Sequence, residues 1–203
     1  MDADAFLAAA LRNPVIRAIA DESSELALPD AWIVAGCLAQ TAWNVLTGRA
    51  LDYGIEDYDI FYFDVDTSWQ AEDAVIRNLQ SRLAHLGVRI EIRNQARVHL
   101  WYPQKHGRPY PALGCSREGI DRFLTRNTQV GIRRARDGYE VYAPHGFAEI
   151  AGLIVGANVT PNFSAESFAA KASRWKSLWP ELTVIPVDST AAASGSAPGR
   201  GHA

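Results

Sequence analysis

Two hydrophobic periods alternate along this chain, one helical and one of strands, and the switches between them mark its elements. Ala5 to Ala20 carries apolar residues at helical spacing broken by Pro14, which predicts two short packing helices. Ala31 to Ala35 is an apolar run ended by Gly36; Cys37 to Leu46 then has helical content, with Gly48 as its C-cap. The expected unit is strand, glycine turn, helix. After a loop over Leu51 to Glu56, Tyr58 to Phe63 is aromatic and β-branched, as strands are. Thr67 or Ser68 then caps a helix whose apolar stripe is Ala74, Val75, Leu79, Leu83 and Leu86.

Val88 to Ile92 alternates strictly, and Arg97 to Tyr102 does so again after Asn94-Gln95-Ala96, so the pattern predicts two strands in a hairpin. Further on, the expected elements are a short helix capped by Ser116 and running through Phe123, and strands over Thr128 to Arg133 and Tyr139 to Ala143 around Asp137-Gly138. A helix over Pro144 to Leu153 and a last one over Ser164 to Leu178 complete the set. Beyond Val187 the chain is mostly Ala, Ser, Gly and Pro, which predicts a disordered tail, 187–203, after a single domain, 1–186. No internal repeat is present.

Chemistry enters with Glu56-Asp57-Tyr58-Asp59. Side chains alternate across a strand, so Asp57 and Asp59 point the same way. Neighbouring like charges raise each other's pKa unless a cation sits between them, which makes the pair a candidate divalent-metal site. The competing reading of an isolated Asp-x-Asp is a solvated turn. Glu91, between Ile90 and Ile92 on the next expected strand, is the candidate third acid; its competing reading is a charge that guards a sheet edge. Gly36 opens a helix whose first amides, at Cys37 and Leu38, are free to face an anion. Arg93, Arg97, Lys171 and Arg174 are candidates for neutralising phosphate. Asp64 and Asp66 suit turns and caps, His99 a hydrogen-bonded place in a sheet, and Trp175 and Trp179 the core rather than a base-stacking platform.

Composition narrows the partners. A net charge of −3 over 203 residues opposes strong general nucleic-acid binding, so any phosphate is recognised locally; the arginines between Arg122 and Arg136 read as a solvated face. Cys37 and Cys115 have neither zinc nor disulfide spacing, no stretch is long enough to span a membrane, and the acidic start is unlike a secretory signal. A cytoplasmic protein is the expectation.

Gly36-Cys37, Asp57-Tyr58-Asp59 and Glu91 together resemble the DNA polymerase β-like nucleotidyltransferase superfamily, with its glycine-turn helix, Asp-x-Asp strand and later acid. Trp32 to Thr41, Arg93 to Tyr102 and Lys171 to Trp175 resemble more closely a family of bacterial nucleotidyltransferase-like proteins within it, a similarity spanning most of residues 30–182. The resemblance implies an α+β fold with a mixed-sheet core flanked by helices, an NTP substrate, and Mg2+ or Mn2+ held by Asp57, Asp59 and Glu91. The implied reaction moves NMP to an acceptor hydroxyl on a small molecule, RNA or protein that the resemblance does not supply. Cys37 departs from the superfamily's usual Gly or Ser, whose hydroxyl helps to hold the terminal phosphates; a thiol is the poorer donor. That departure favours the alternative of a catalytically silent nucleotide-binding protein or a partner in a toxin–antitoxin-like pair. A structural module using the arginine cluster is the third reading.

Overall fold

Tyr58, Ile60 and Tyr62 are buried while Asp59 and Phe61 between them are only partly so; β2 (Tyr58–Tyr62) thus gives one face to the main core and one to a cleft. The computed structural model describes residues 1–187; the expected tail, except for Val187, lies outside the described residues. β2 is the second strand of a mixed five-stranded sheet in the order β3-β2-β1-β4-β5. β1 (Trp32–Val34) pairs antiparallel with β2 and with β4 (Gly131–Ala135), which pairs antiparallel with β5 (Gly138–Tyr142). β3 (Ile90–Asn94) alone runs parallel to its neighbour, setting Glu91 beside Asp59 and Arg93 beside Phe61.

Helices cover the buried face. α1 (Ala3–Ala10) and α2 (Pro14–Glu25) are the expected pair, with Pro14 opening the second helix behind an Asn13 N-cap, where its missing N–H costs nothing. α3 (Gly36–Thr47) ends at Gly48 in the left-handed region, and α4 (Trp69–Leu83), capped by Ser68, is the crossover that parallel pairing of β2 and β3 requires. Phe6, Ile16, Leu38, Trp43, Ile60 and Leu79 are buried together beneath them. α8 (Ala165–Leu178), capped by Ser164, presses Trp175 against Trp43 edge-on at 5.5 Å, and Trp179 just beyond its end does the same. Both are core residues. α6 (Ser116–Ile120) lies on the other face, where Ile120 packs with Trp32, Val34 and Phe123. Ser116 is its first residue rather than its cap, and donates its hydroxyl to the carbonyl of Asp30 at 2.7 Å. Among the described residues no helix is long and apolar enough to cross a membrane.

Two expectations need correction. Arg97 to Tyr102 is not a strand: Arg97 ends a 3-10 turn over Gln95–Arg97, and Val98–His106 is a helix, α5, closed by Gly107 in the left-handed region. The cause is Asn94, which is buried. Its Oδ1 accepts from the amides of Asp64 (3.0 Å) and Ala96 (3.1 Å), and its Nδ2 donates to the carbonyls of Asp64 (2.9 Å) and Asp66 (3.2 Å). That knot turns the chain as an N-cap does, and six alternating residues are too few to tell the two periods apart. His99 accordingly sits in a helix, its Nδ1 buried without a partner. The helix expected over Pro144 to Leu153 shrinks to α7 (Ala148–Ala151), because Gly146 takes a left-handed turn; Ile154–Val155 (β6) then pairs with Thr183–Val184 (β7) in a small parallel sheet.

Candidate active site

Asp57 and Asp59 lie on the cleft side of the sheet, at the N-terminal end of β2 where it meets the start of α3. Burial lifts both carboxyls above the usual range, Asp59 to about 7; repulsion from Glu91 adds to the rise at Asp57 and repulsion from Asp57 to that at Asp59, while Lys171 opposes the rise in each. The nearby arginines are committed elsewhere. Arg89 and Arg93 pair with Glu91, and Arg174 with Glu56 at 2.7 Å, so neither aspartate has an ion-pair partner among the described residues.

The chain holds this pair in place from behind. Gly54 has φ of +71°, and a Cβ there would meet the Trp179 ring at 2.5 Å, so the loop into β2 lies flat on the core tryptophans. Arg174 fastens the same loop by donating to the carbonyl of Gly54 at 2.7 Å. It therefore braces the approach to Asp57 rather than standing free for phosphate.

The turn into α3 differs from the expected glycine turn. The residue with positive φ is Ala35 (φ +66°, ψ −136°), the N-cap, whereas Gly36 is the first helical residue, where an added Cβ would come within 2.7 Å of the movable end of the Gln40 side chain. No side chain caps α3, which leaves its first amides and its dipole for an anion. Cys37 takes no part on that side: its buried thiol donates to the carbonyl of Val34 at 3.3 Å, and burial together with Asp59 pushes its pKa far up. The thiol occupies the interior, so the comparison with a serine hydroxyl does not bear on the anion-facing amides.

Asp59 and Glu91 line a cleft of about 310 Å3 whose other walls include Arg93, Trp101, Tyr110, Arg122 and Lys171. Lys171 is exposed on α8 with its ammonium 5.2 Å from the Trp175 ring. Arg93 reaches Glu91 at 3.6 Å and lends a hydrogen bond to the carbonyl of Ile92. Arg97 is the candidate that the fold takes away. The turn after Asn94 directs it to the buried carboxylate of Glu72 and over the Trp69 ring, into a neighbouring cleft. Arg122, read from sequence as one of a solvated arginine face, lines the cleft with its guanidinium 5.4 Å from the Tyr110 ring. Only the helical reading of residues 98–106 brings the α5 aromatics to the same wall, so no sequence signal was available for Arg122 or Trp101.

A divalent cation fits the pair on the chemistry of its donors: two partly buried, unpaired carboxylates whose charged forms are disfavoured by burial and by neighbouring acids. As placed, no three His, Cys, Asp or Glu side chains among the described residues are gathered as a ligand set, because Glu91 faces Arg89 and Arg93.

The fold is shared with a solved structure. An NMR structure described as revealing a CCA-adding enzyme head domain superposes with a TM-score of 0.71 at 24% identity, covering 90% of this chain and 95% of that one. Comparison with curated proteins gave no match. The sequence pattern of the family described as Nucleotidyltransferase matches residues 21–184, from α2 to β7 and across every residue of the cleft. The chain belongs to that nucleotidyltransferase family.

Proposed function

We propose that this chain is a metal-dependent nucleotidyltransferase that moves NMP from an NTP to an acceptor hydroxyl. The observation that carries the reading is the unpaired Asp57–Asp59 pair beside the uncapped start of α3. Asp57 and Asp59 would hold Mg2+ or Mn2+, with Glu91 as the third ligand once it is drawn from its arginines. A bound ion would polarise the α-phosphate and make the acceptor hydroxyl a better nucleophile. The acceptor hydroxyl gives up its proton to solvent as its oxygen bonds to the α-phosphorus, the bond to the bridging oxygen breaks, and pyrophosphate leaves with the electron pair. The free amides of α3 and the ammonium of Lys171 offset charge on the triphosphate. Arg93, released as Glu91 moves, supplies a further cation.

The test combines thermal shift with labelled transfer. Mg2+ or Mn2+ with an NTP should raise the melting temperature of the wild type and not that of the Asp57→Asn, Asp59→Asn double variant, and [α-32P]NTP should label an acceptor pool. Stabilisation without pyrophosphate release from any pool would move the reading to the silent nucleotide-binding alternative. No stabilisation by any NTP with either ion would end both.

A further inference from the structure

Beside the cleft of Asp59 and Glu91 lies a second one, of about 250 Å3, lined by Trp69, Glu72, Arg93, Arg97, Trp101 and Lys105. The two share a wall: Arg93, Trp101 and Lys105 line both. Trp69 stands at the first position of α4 and is 56% exposed, an unusual place for the largest apolar side chain. Its ring is backed by the Arg97 guanidinium at 5.3 Å, and Arg97 is itself locked by Glu72. The ring is held while much of it meets solvent. Trp101 carries the Lys105 ammonium at 5.5 Å.

Charge decides what this surface takes. Glu72 is already neutralised by Arg97, whereas Lys105 and, across the wall, Arg122 and Lys171 have no acidic partner among the described residues. A held aromatic ring beside unpaired cations matches a polyanion that carries flat π-faces. An acidic peptide would use the cations and leave the indoles idle. A single nucleotide would be accommodated by the inner cleft and would leave the second one empty.

We infer that the Trp69–Trp101 cleft binds the bases of a single-stranded nucleic acid, its backbone running over Lys105 toward the aspartates. Stacking on aromatic faces and a cationic groove are the two components of such binding, and the net charge of −3 confines it to this groove. That the strand's terminal hydroxyl is the acceptor rests on the transferase reading above; the binding does not.

The experiment is fluorescence anisotropy with labelled eight-nucleotide RNA and DNA oligomers, on the Asp59→Asn variant so that no turnover intervenes. Adding Trp69→Ala should weaken binding by at least roughly 5-fold, while Trp69→Phe, which keeps a ring, should recover most of it. Lys105→Gln should lower the slope of log affinity against log salt by about 1. Preference for RNA or for DNA would name the source of the strand. Absence of oligomer binding, equal binding by Trp69→Ala, or competition by AMP as effective as by the oligomer would each overturn the inference. Nucleotide transfer to a small molecule without oligomer binding would overturn it and leave the transferase reading standing; oligomer binding that depends on Trp69, without transfer to any acceptor, would do the reverse.

Discussion

Glu72 and Asp59 are both carboxylates withdrawn from water on neighbouring elements, and the chain treats them in opposite ways. Glu72 is 2% exposed and fully answered: Arg97 pairs with it, and the amide of Asn94 donates to it at 2.9 Å. Asp59 has no ion pair: Arg93 beside it is held by Glu91, and Lys171 eases its charge without reaching it. The first arrangement stabilises a fold, since Glu72 ties α4 to the knot at Asn94 that starts α5. The second destabilises it and leaves a charge to be answered by something outside the chain.

The contrast is broken most severely at the unpaired acids. Asp57→Asn or Asp59→Asn should reduce transfer by roughly 10³-fold while the folded population, followed by circular dichroism, is unchanged or larger. The reverse is expected at Glu72. Glu72→Ala should cost about 3 kcal/mol, because it strands the partly buried Arg97 and frees the Asn94 amide, and chemical denaturation should show it.

The pH response sharpens the difference. Asp59 keeps its proton in the folded state to about pH 7, whereas the unfolded carboxyl, near the ordinary aspartate value of 3.8, loses it earlier. Between those values the folded state binds more protons, so this group's contribution makes stability fall as pH rises from about 4 to about 7. Without metal, Asp59→Asn should therefore raise the melting temperature more at pH 8 than at pH 5; a larger gain at pH 5 would contradict the raised pKa. The smallest expected effect is at the turn. Ala35→Gly, which relieves a φ of +66°, should stabilise by about 1 kcal/mol in thermal denaturation, net of the added freedom of the unfolded chain.

The legible parts of this molecule were those where one short-range rule operates. The alternation in Tyr58 to Tyr62 placed Asp57 and Asp59 on one face, and Gly48 and Ser68 closed and opened helices as their types predict. What escaped depended on contacts far apart in sequence. Asn94 reads as a connecting residue until Asp64 and Asp66 arrive beside it, and only then does α5 begin, carrying Trp101 to the cleft and Arg97 to Glu72. Likewise Gly36 looks like the conformationally free residue of its turn, but the positive φ belongs to Ala35, and Gly36 itself lies against the end of the Gln40 side chain. Arg174, three residues from Lys171, suggested a shared phosphate face; the loop at Gly54 claims it instead.

On the function proposed above, Asp57 and Asp59 are left unpaired because a divalent cation completes them. Titrating the protein with Mn2+ and reading free ion by electron paramagnetic resonance, in the presence and absence of an NTP, tests this most directly. The wild type should bind Mn2+ saturably and more tightly with NTP, and Asp57→Asn, Asp59→Asn should lose that binding. Equal Mn2+ binding by the double variant, or none by the wild type with NTP present, would contradict it.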